Sequence, residues 1–175
     1  METSAAIKAR RSIRAYKEKE VPEKKIRELI SITKFCPSAK NVQPLKYLVV
    51  TGKELIAELS RAVQEEGAKE GRSFRELEDP IFYNAPAVIF IIAPEGNKWI
   101  AHDGSIAANT IMLAAADSGL GTCSIGYARY LMNSADARKK LGIPDDYDLV
   151  YTLTLGYPEE IPEMPEKKEP DITFV

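Results

Sequence analysis

The chain carries 175 residues, 45% hydrophobic and 29% charged, with a formal net charge of −2 at neutral pH. That length supports one domain with a sizeable core and leaves little room for two. The near-neutral balance excludes nucleic-acid binding by broad phosphate neutralisation and a strongly cationic membrane surface. The longest apolar run, Ala85 to Ala93, is broken by Pro86 and is too short to span a bilayer.

No apolar segment of secretory type opens the chain, so a cytoplasmic protein without nucleic-acid or membrane partners is expected. Cys36 and Cys123 are far apart and His102 is the single histidine, which leaves a zinc site short of ligands. No metal is therefore expected, and both cysteines read as small buried residues.

In chain order, the first feature is Lys8-Ala-Arg-Arg-Ser-Ile-Arg-Ala-Tyr16, a strongly positive stretch in a slightly acidic protein. Guanidinium offers a rigid fork of donors that matches phosphate oxygens, so Arg10, Arg11 and Arg14 with Ser12 form a candidate phosphate site. Taken alone, three arginines within five residues more often mark a solvated helix end than a ligand site.

A helix is expected from Pro22-Glu23, with Ile26, Leu29, Ile30 and Thr33 on one face, ending before Pro37. A strand over Leu45–Thr51 follows, then a helix from Lys53 to about Glu70 through Leu55, Ile56, Leu59 and Val63. The continuous apolar run Ala87–Ala93 reads as a strand covered on both faces. Asp103 is a plausible cap for a long apolar helix over Gly104–Ser118, which Gly119-Leu-Gly121 terminates. A short strand at Thr122–Ile125, a helix near Ser134–Leu141 and a strand at Leu149–Leu155 complete the domain.

From Gly156 to Val175 the chain changes character, with Pro158, Pro162, Pro165 and Pro170, many glutamates and few core residues. Such a segment is either disordered or held by wrapping a partner. The apolar end Ile172-Thr-Phe-Val175 favours wrapping.

Four motifs recur in a definite order: the Arg10–Arg14 cluster, Pro37-Ser-Ala-Lys-Asn-Val-Gln-Pro44, Gly119-Leu-Gly-Thr-Cys-Ser-Ile-Gly126 and Leu155-Gly-Tyr-Pro158. In this order and spacing the chain resembles the flavin-dependent nitroreductase family, from Ile7 to about Pro170, in a compact version. The resemblance implies an α+β fold with an antiparallel-dominated central sheet flanked by helices, a single domain over 1–175, and an intertwined homodimer. It also implies FMN at the dimer interface, reduced by NADH or NADPH. Nitroaromatics, quinones or related small acceptors would then be reduced by a ping-pong hydride transfer.

On that resemblance Arg10, Arg11 and Ser12 would contact the phosphate and ribityl chain. Arg14 would reach the pyrimidine edge, where a cation favours the reduced ring. Pro37, Ser38, Asn41 and Gln43 would approach the flavin from the other subunit; amide side chains suit its mixed edge of donors and acceptors. Ile125 and Gly126 would lie beside flavin N5, and Lys167 and Lys168 would complete phosphate binding as point charges. No side chain need act as nucleophile, because the cofactor carries the chemistry. His102 and Cys123 accordingly read as a polar helix-start residue and an unactivated thiol.

The chain departs from the family pattern at Leu45, where relatives often have tryptophan, and in lacking a longer helical insertion between the second and third strands. Both departures bear on the acceptor. Two alternatives stand beside a general reductase. One is a flavoprotein with a specialised reaction, such as dehydrogenation, dehalogenation or flavin fragmentation; the other is a non-catalytic protein that binds a phosphate-bearing ligand.

Overall fold

A computed structural model describes residues 2–175. Among them run helix α1 (Thr3–Ala9), helix α2 (Glu23–Ser31), strand β1 (Lys46–Val50), helix α3 (Lys53–Lys69) and strand β2 (Ala87–Pro94). Helix α4 (Ile100–Asp117), strand β3 (Gly121–Ser124), helix α5 (Ala135–Leu141) and strand β4 (Tyr147–Gly156) follow. The four strands form one sheet in the order β1-β2-β4-β3, and each neighbouring pair is antiparallel. The expected α+β architecture with an antiparallel sheet is what forms.

Strand β2 is central because its sequence tolerates nothing else. From Ala87 through Ala93 every residue is buried. Successive strand residues point to opposite faces. Val88, Phe90 and Ile92 thus join Ile56, Leu59 and Val63 of α3 and Leu131 on one face. Ala87, Ile89 and Ile91 join Ile26 and Leu29 of α2, Ile111 of α4 and Leu153 of β4 on the other. A strand with two apolar faces needs a helical layer on each, and α3 and α4 supply them.

The expected elements lie close to the observed ones, with one correction of substance. Helix α4 begins at Ile100, four residues before Gly104, so Asp103 is not its cap. The turn ahead of it is made by Asn97, whose side-chain oxygen accepts the Trp99 N–H at 3.0 Å while its carbonyl accepts the Ile100 N–H at 3.2 Å. Asp103 sits inside the first turn, buried, and serves elsewhere. Two short elements lay outside the expected ones: α1, and a 3₁₀ segment over Gly126–Asn133.

No helix among the described residues is long and apolar enough to cross a membrane.

Candidate functional site

The arginine cluster is placed by strand-like pairing at the open edge of β3. Ser12 bridges Thr122 in parallel, and the Ile13 N–H donates to the Thr122 carbonyl at 2.9 Å. Tyr16 continues the run: it bridges Pro158, its hydroxyl donates to the Ile13 carbonyl at 2.8 Å, and the Thr154 hydroxyl lies 2.7 Å away. Thr154 Oγ1 in turn accepts the Cys123 N–H at 3.0 Å. Burial pushes the Tyr16 phenol well above its ordinary range, so it stays a neutral donor.

Within the cluster the three arginines divide. One amino group of Arg11 donates to the carbonyls of Lys8, Ala9 and Arg10 at 2.7, 2.9 and 3.0 Å, satisfying the last free carbonyls of α1. Arg10 and Arg14 form no ion pair among the described residues. Arg14 lies 5.9 Å from the centroid of the Tyr83 ring. Both guanidiniums are near enough to Cys123 to draw its thiol pKa down, although burial outweighs them and raises it. Two cations without carboxylate partners, beside a hydroxyl, are a donor set for an anion.

Strand β3 leads from this cluster to Ile125 and Gly126. The Ile125 N–H donates to the Thr152 carbonyl at 3.0 Å, and Gly126 is exposed with nothing within 4 Å of where a Cβ would project. A cavity of about 230 Å³ opens here, lined by Tyr83, Ser124, Gly126, Tyr127 and Arg129.

Tyr83 was missed in the sequence. It and Asn84 both hold left-handed backbone, with φ of 58° and 53°. Asp79 holds that turn in place: Oδ1 accepts the N–H groups of Ile81 and Phe82 at 3.1 and 2.9 Å and the Ser60 hydroxyl at 2.6 Å. Its Oδ2 accepts the Asn84 N–H at 3.1 Å. The signal available was Asp79-Pro80, a turn-forming pair directly before an aromatic run.

The 37–44 loop stands apart from the arginines. Lys40, Asn41 and Gln43 all have positive φ, between 51° and 56°, a conformation costly for residues with a Cβ. Ser38 Oγ accepts the Gln43 N–H at 3.0 Å, and the Gln43 amide donates to Asn41 Oδ1 at 2.8 Å. Here Asp103 finds its role: Oδ1 accepts the Ala39 N–H at 3.2 Å and ties the loop to α4, while Oδ2 is buried without a partner. No hydrogen bond or ion pair among the described residues joins Pro37, Ser38, Asn41 or Gln43 to Arg10, Arg14 or Gly126.

Lys167 and Lys168 lie in an extended segment in which every residue from Glu159 to Val175 is exposed. The free segment begins later than Gly156. Gly156 closes β4, Pro158 bridges Tyr16, and the Glu159 N–H donates to the Ala15 carbonyl at 3.0 Å. His102 is exposed on α4 with its ring edge-on to Trp99 at 5.6 Å, and the Cys36 thiol donates to Thr110 Oγ1 at 3.1 Å.

Comparison with known proteins fits this geometry. The model described as "Nitroreductase family" matches residues 7–157. A Methanothermobacter thermautotrophicus protein named for NADH dehydrogenase/NAD(P)H nitroreductase activity is 30% identical over 176 residues, covering 98% of this chain and 85% of its own. A Desulfitobacterium hafniense nitroreductase solved with bound FMN superposes with a TM-score of 0.83 at 25% identity, covering 100% of this chain and 98% of that one. An FMN-dependent nitroreductase from Clostridium difficile is 31% identical with a TM-score of 0.70, covering 95% and 90%. Sequence and fold agree over nearly the whole length, and the chain belongs to the nitroreductase family.

Proposed function

We propose that this protein is an FMN-dependent oxidoreductase that draws electrons from NADH or NADPH. It passes them to small acceptors such as nitroaromatics or quinones in alternating half-reactions. The observation that carries the reading is one run of chain. Ser12–Thr122 pairing sets Arg10 and Arg14, neither in an ion pair among the described residues, at one end of β3, and Gly126 lies open at the other.

The donor set suits FMN. Arg10 and Ser12 would hold the phosphate end, with Arg11 supporting them by fixing the turn out of α1. Arg14, kept near Tyr83, would face the pyrimidine edge and favour negative charge there. Ile125 and Gly126 would present backbone to the ring, because no side chain at 126 stands in the way. When bound, FMN supplies the hydride-transfer chemistry that no side chain here performs.

The working unit of this proposal is a homodimer. The strained 37–44 loop, remote in bonding from the arginines of its own chain, would bring Pro37, Ser38, Asn41 and Gln43 to the partner's flavin. The exposed tail would wrap the partner with Ile172, Phe174 and Val175, of which Phe174 is 94% exposed in the single chain. It would carry Lys167 and Lys168 toward a phosphate. Exposed Phe35, at 78%, and Val42, at 59%, support a covered surface beside the loop.

The test is direct. The purified protein should be yellow, should release FMN on denaturation, and should lose its flavin absorbance rapidly when NADH or NADPH is added without oxygen. A colourless protein that takes up no added FMN would sink the proposal. A yellow protein that neither nucleotide reduces would instead indicate a specialised reaction of the same cofactor.

A further inference from the structure

Tyr127 follows the open Gly126 and is itself 44% exposed, yet its ring is held on two sides. Phe74 meets it edge-on, with centroids 5.2 Å apart and planes at 77°. Tyr130 lies nearly parallel to it, at 6.4 Å and 15°. Tyr130 is buried, and its hydroxyl oxygen accepts from Arg72 Nε at 3.1 Å and Arg129 Nη2 at 3.0 Å, so the inner ring is fixed. The outer ring, that of Tyr127, lines the cavity shared with Tyr83, Ser124 and Gly126.

Phe74 has a seat of its own on α3. Gly67 is buried inside that helix, and a Cβ there would lie 2.6 Å from Phe74 Cζ and 3.4 Å from Tyr130 Cδ2. Glycine is disfavoured within a helix, so the close approach of the phenyl ring accounts for it here. From Gly71 to Glu78, Phe74 is the one residue that is not exposed, and its ring fastens this stretch to α3. Fixing a half-exposed side chain such as Tyr127 in one rotamer costs entropy without the full return of burial. The packing therefore gives Tyr127 a set direction and leaves one side of its ring uncovered.

From this we infer that Tyr127 is a wall of the flavin site, and that Phe74 positions it from its seat on Gly67. The inference rests on the flavin reading, which gives the space beside Gly126 to the isoalloxazine. With the cofactor in that space, the uncovered side of Tyr127 lies against it and keeps water from that edge. Phe74 and Gly67 touch no part of the cofactor and act through the tyrosine, so two rings couple α3 to the flavin.

The emission lifetime of FMN in the intact holoenzyme tests this. A phenol in contact with isoalloxazine quenches its fluorescence, because an electron passes from the phenol to the excited ring and then returns. A phenyl group of the same shape does not supply that electron. Tyr83→Phe serves as the parent protein, since Tyr83 lines the same cavity. On that parent, Tyr127→Phe should lengthen the lifetime severalfold. Phe74→Leu should lengthen it in part by freeing Tyr127, and Gly67→Ala should do the same by displacing Phe74. Neither should add anything once Tyr127→Phe is present, because both act through that phenol. Phe74→Leu decides the matter if the alanine variant does not fold. A lifetime unchanged by Tyr127→Phe would overturn the inference. So would a Phe74→Leu protein with its parent's lifetime, or one whose effect persists without the Tyr127 phenol. A colourless protein fails the flavin reading; a yellow one whose emission ignores position 127 fails only this inference.

Discussion

Gly121 makes room for Ile13. A Cβ at position 121 would lie 2.5 Å from Ile13 Cγ1 and 2.8 Å from its Cβ, and without one the Ile13 N–H reaches the Thr122 carbonyl at 2.9 Å. Gly156 does the same for Tyr16, whose Cδ1 would be 2.6 Å from an added Cβ. The run from Arg10 to Tyr16 therefore has its position set by two glycines distant from it in sequence. Gly121→Ala should destabilise the protein by about 1–3 kcal/mol through overpacking. It should also weaken FMN retention by shifting Arg10 and Ser12. Thermal midpoint and flavin content measured together check both.

Arg10 and Arg14 are predicted to fail differently. Arg10→Ala should weaken FMN binding about tenfold or more by removing a charge-assisted bond. Arg14→Ala should weaken binding and also lower the two-electron reduction potential by about 30 mV, the equivalent of about 1.4 kcal/mol lost from the reduced form. Equilibrium dialysis and a spectroelectrochemical titration separate the two effects.

Asp79 gathers four donors, three of them backbone N–H groups of the turn that carries Tyr83. Asp79→Ala leaves buried donors without partners and should cost about 3 kcal/mol or more. Asp79→Asn keeps Oδ1 and loses the acceptor for Asn84, so about 1 kcal/mol is expected. Urea denaturation of the two variants gives the order.

Tyr16 makes stability fall at high pH. Its folded-state pKa is raised above the ordinary phenol value of 10.0, so the unfolded chain loses the proton first. The stability it contributes is complete below that value and is lost as pH climbs toward the folded pKa. The extra slope should be about 1.4 kcal/mol per pH unit above pH 10. Tyr16→Phe should abolish that slope, at the expense of its bonds to Ile13 and Thr154. Denaturation curves for both proteins between pH 9 and 11 are the measurement.

Truncation after Glu159 removes only exposed chain, because Pro158 and Glu159 are the last residues tied to the segment before α2. If the tail wraps a partner, sedimentation should find the truncated protein monomeric, with the circular dichroism of the full chain. A truncated protein that remains a flavin-bound dimer would remove the tail from the interface.

Much of the fold was legible because burial leaves a periodic trace. Ala87–Ala93 could only be a strand covered twice, and the spacing of Leu55, Ile56, Leu59 and Val63 could only be one face of a helix. The ends were less legible: α4 starts with Asn97 as the turn residue, and the more familiar capping candidate, Asp103, is spent on the Ala39 N–H. Helix α1 is too short to carry a clear apolar stripe, and the 126–133 segment winds as a 3₁₀ run that buries Ala128, Tyr130 and Leu131.

The candidate site divides in the same way. The residue types were chosen in the sequence: guanidiniums and a hydroxyl in one run, a glycine-bearing segment after the central helix, amides in a proline-bounded loop. From these followed the family. That Arg11 is spent on the end of its own helix was decided by tertiary structure alone. Arg11 turns back onto three carbonyls, whereas Arg10 and Arg14 form no ion pair among the described residues, and neighbouring guanidiniums are indistinguishable until the backbone direction is known. The approach of Arg14 to Tyr83 was likewise hidden, because it joins segments far apart in sequence, although Asp79-Pro80 marks the turn that carries Tyr83. Composition and periodicity report which surfaces must be buried; only packing reports which charges are left to find a ligand.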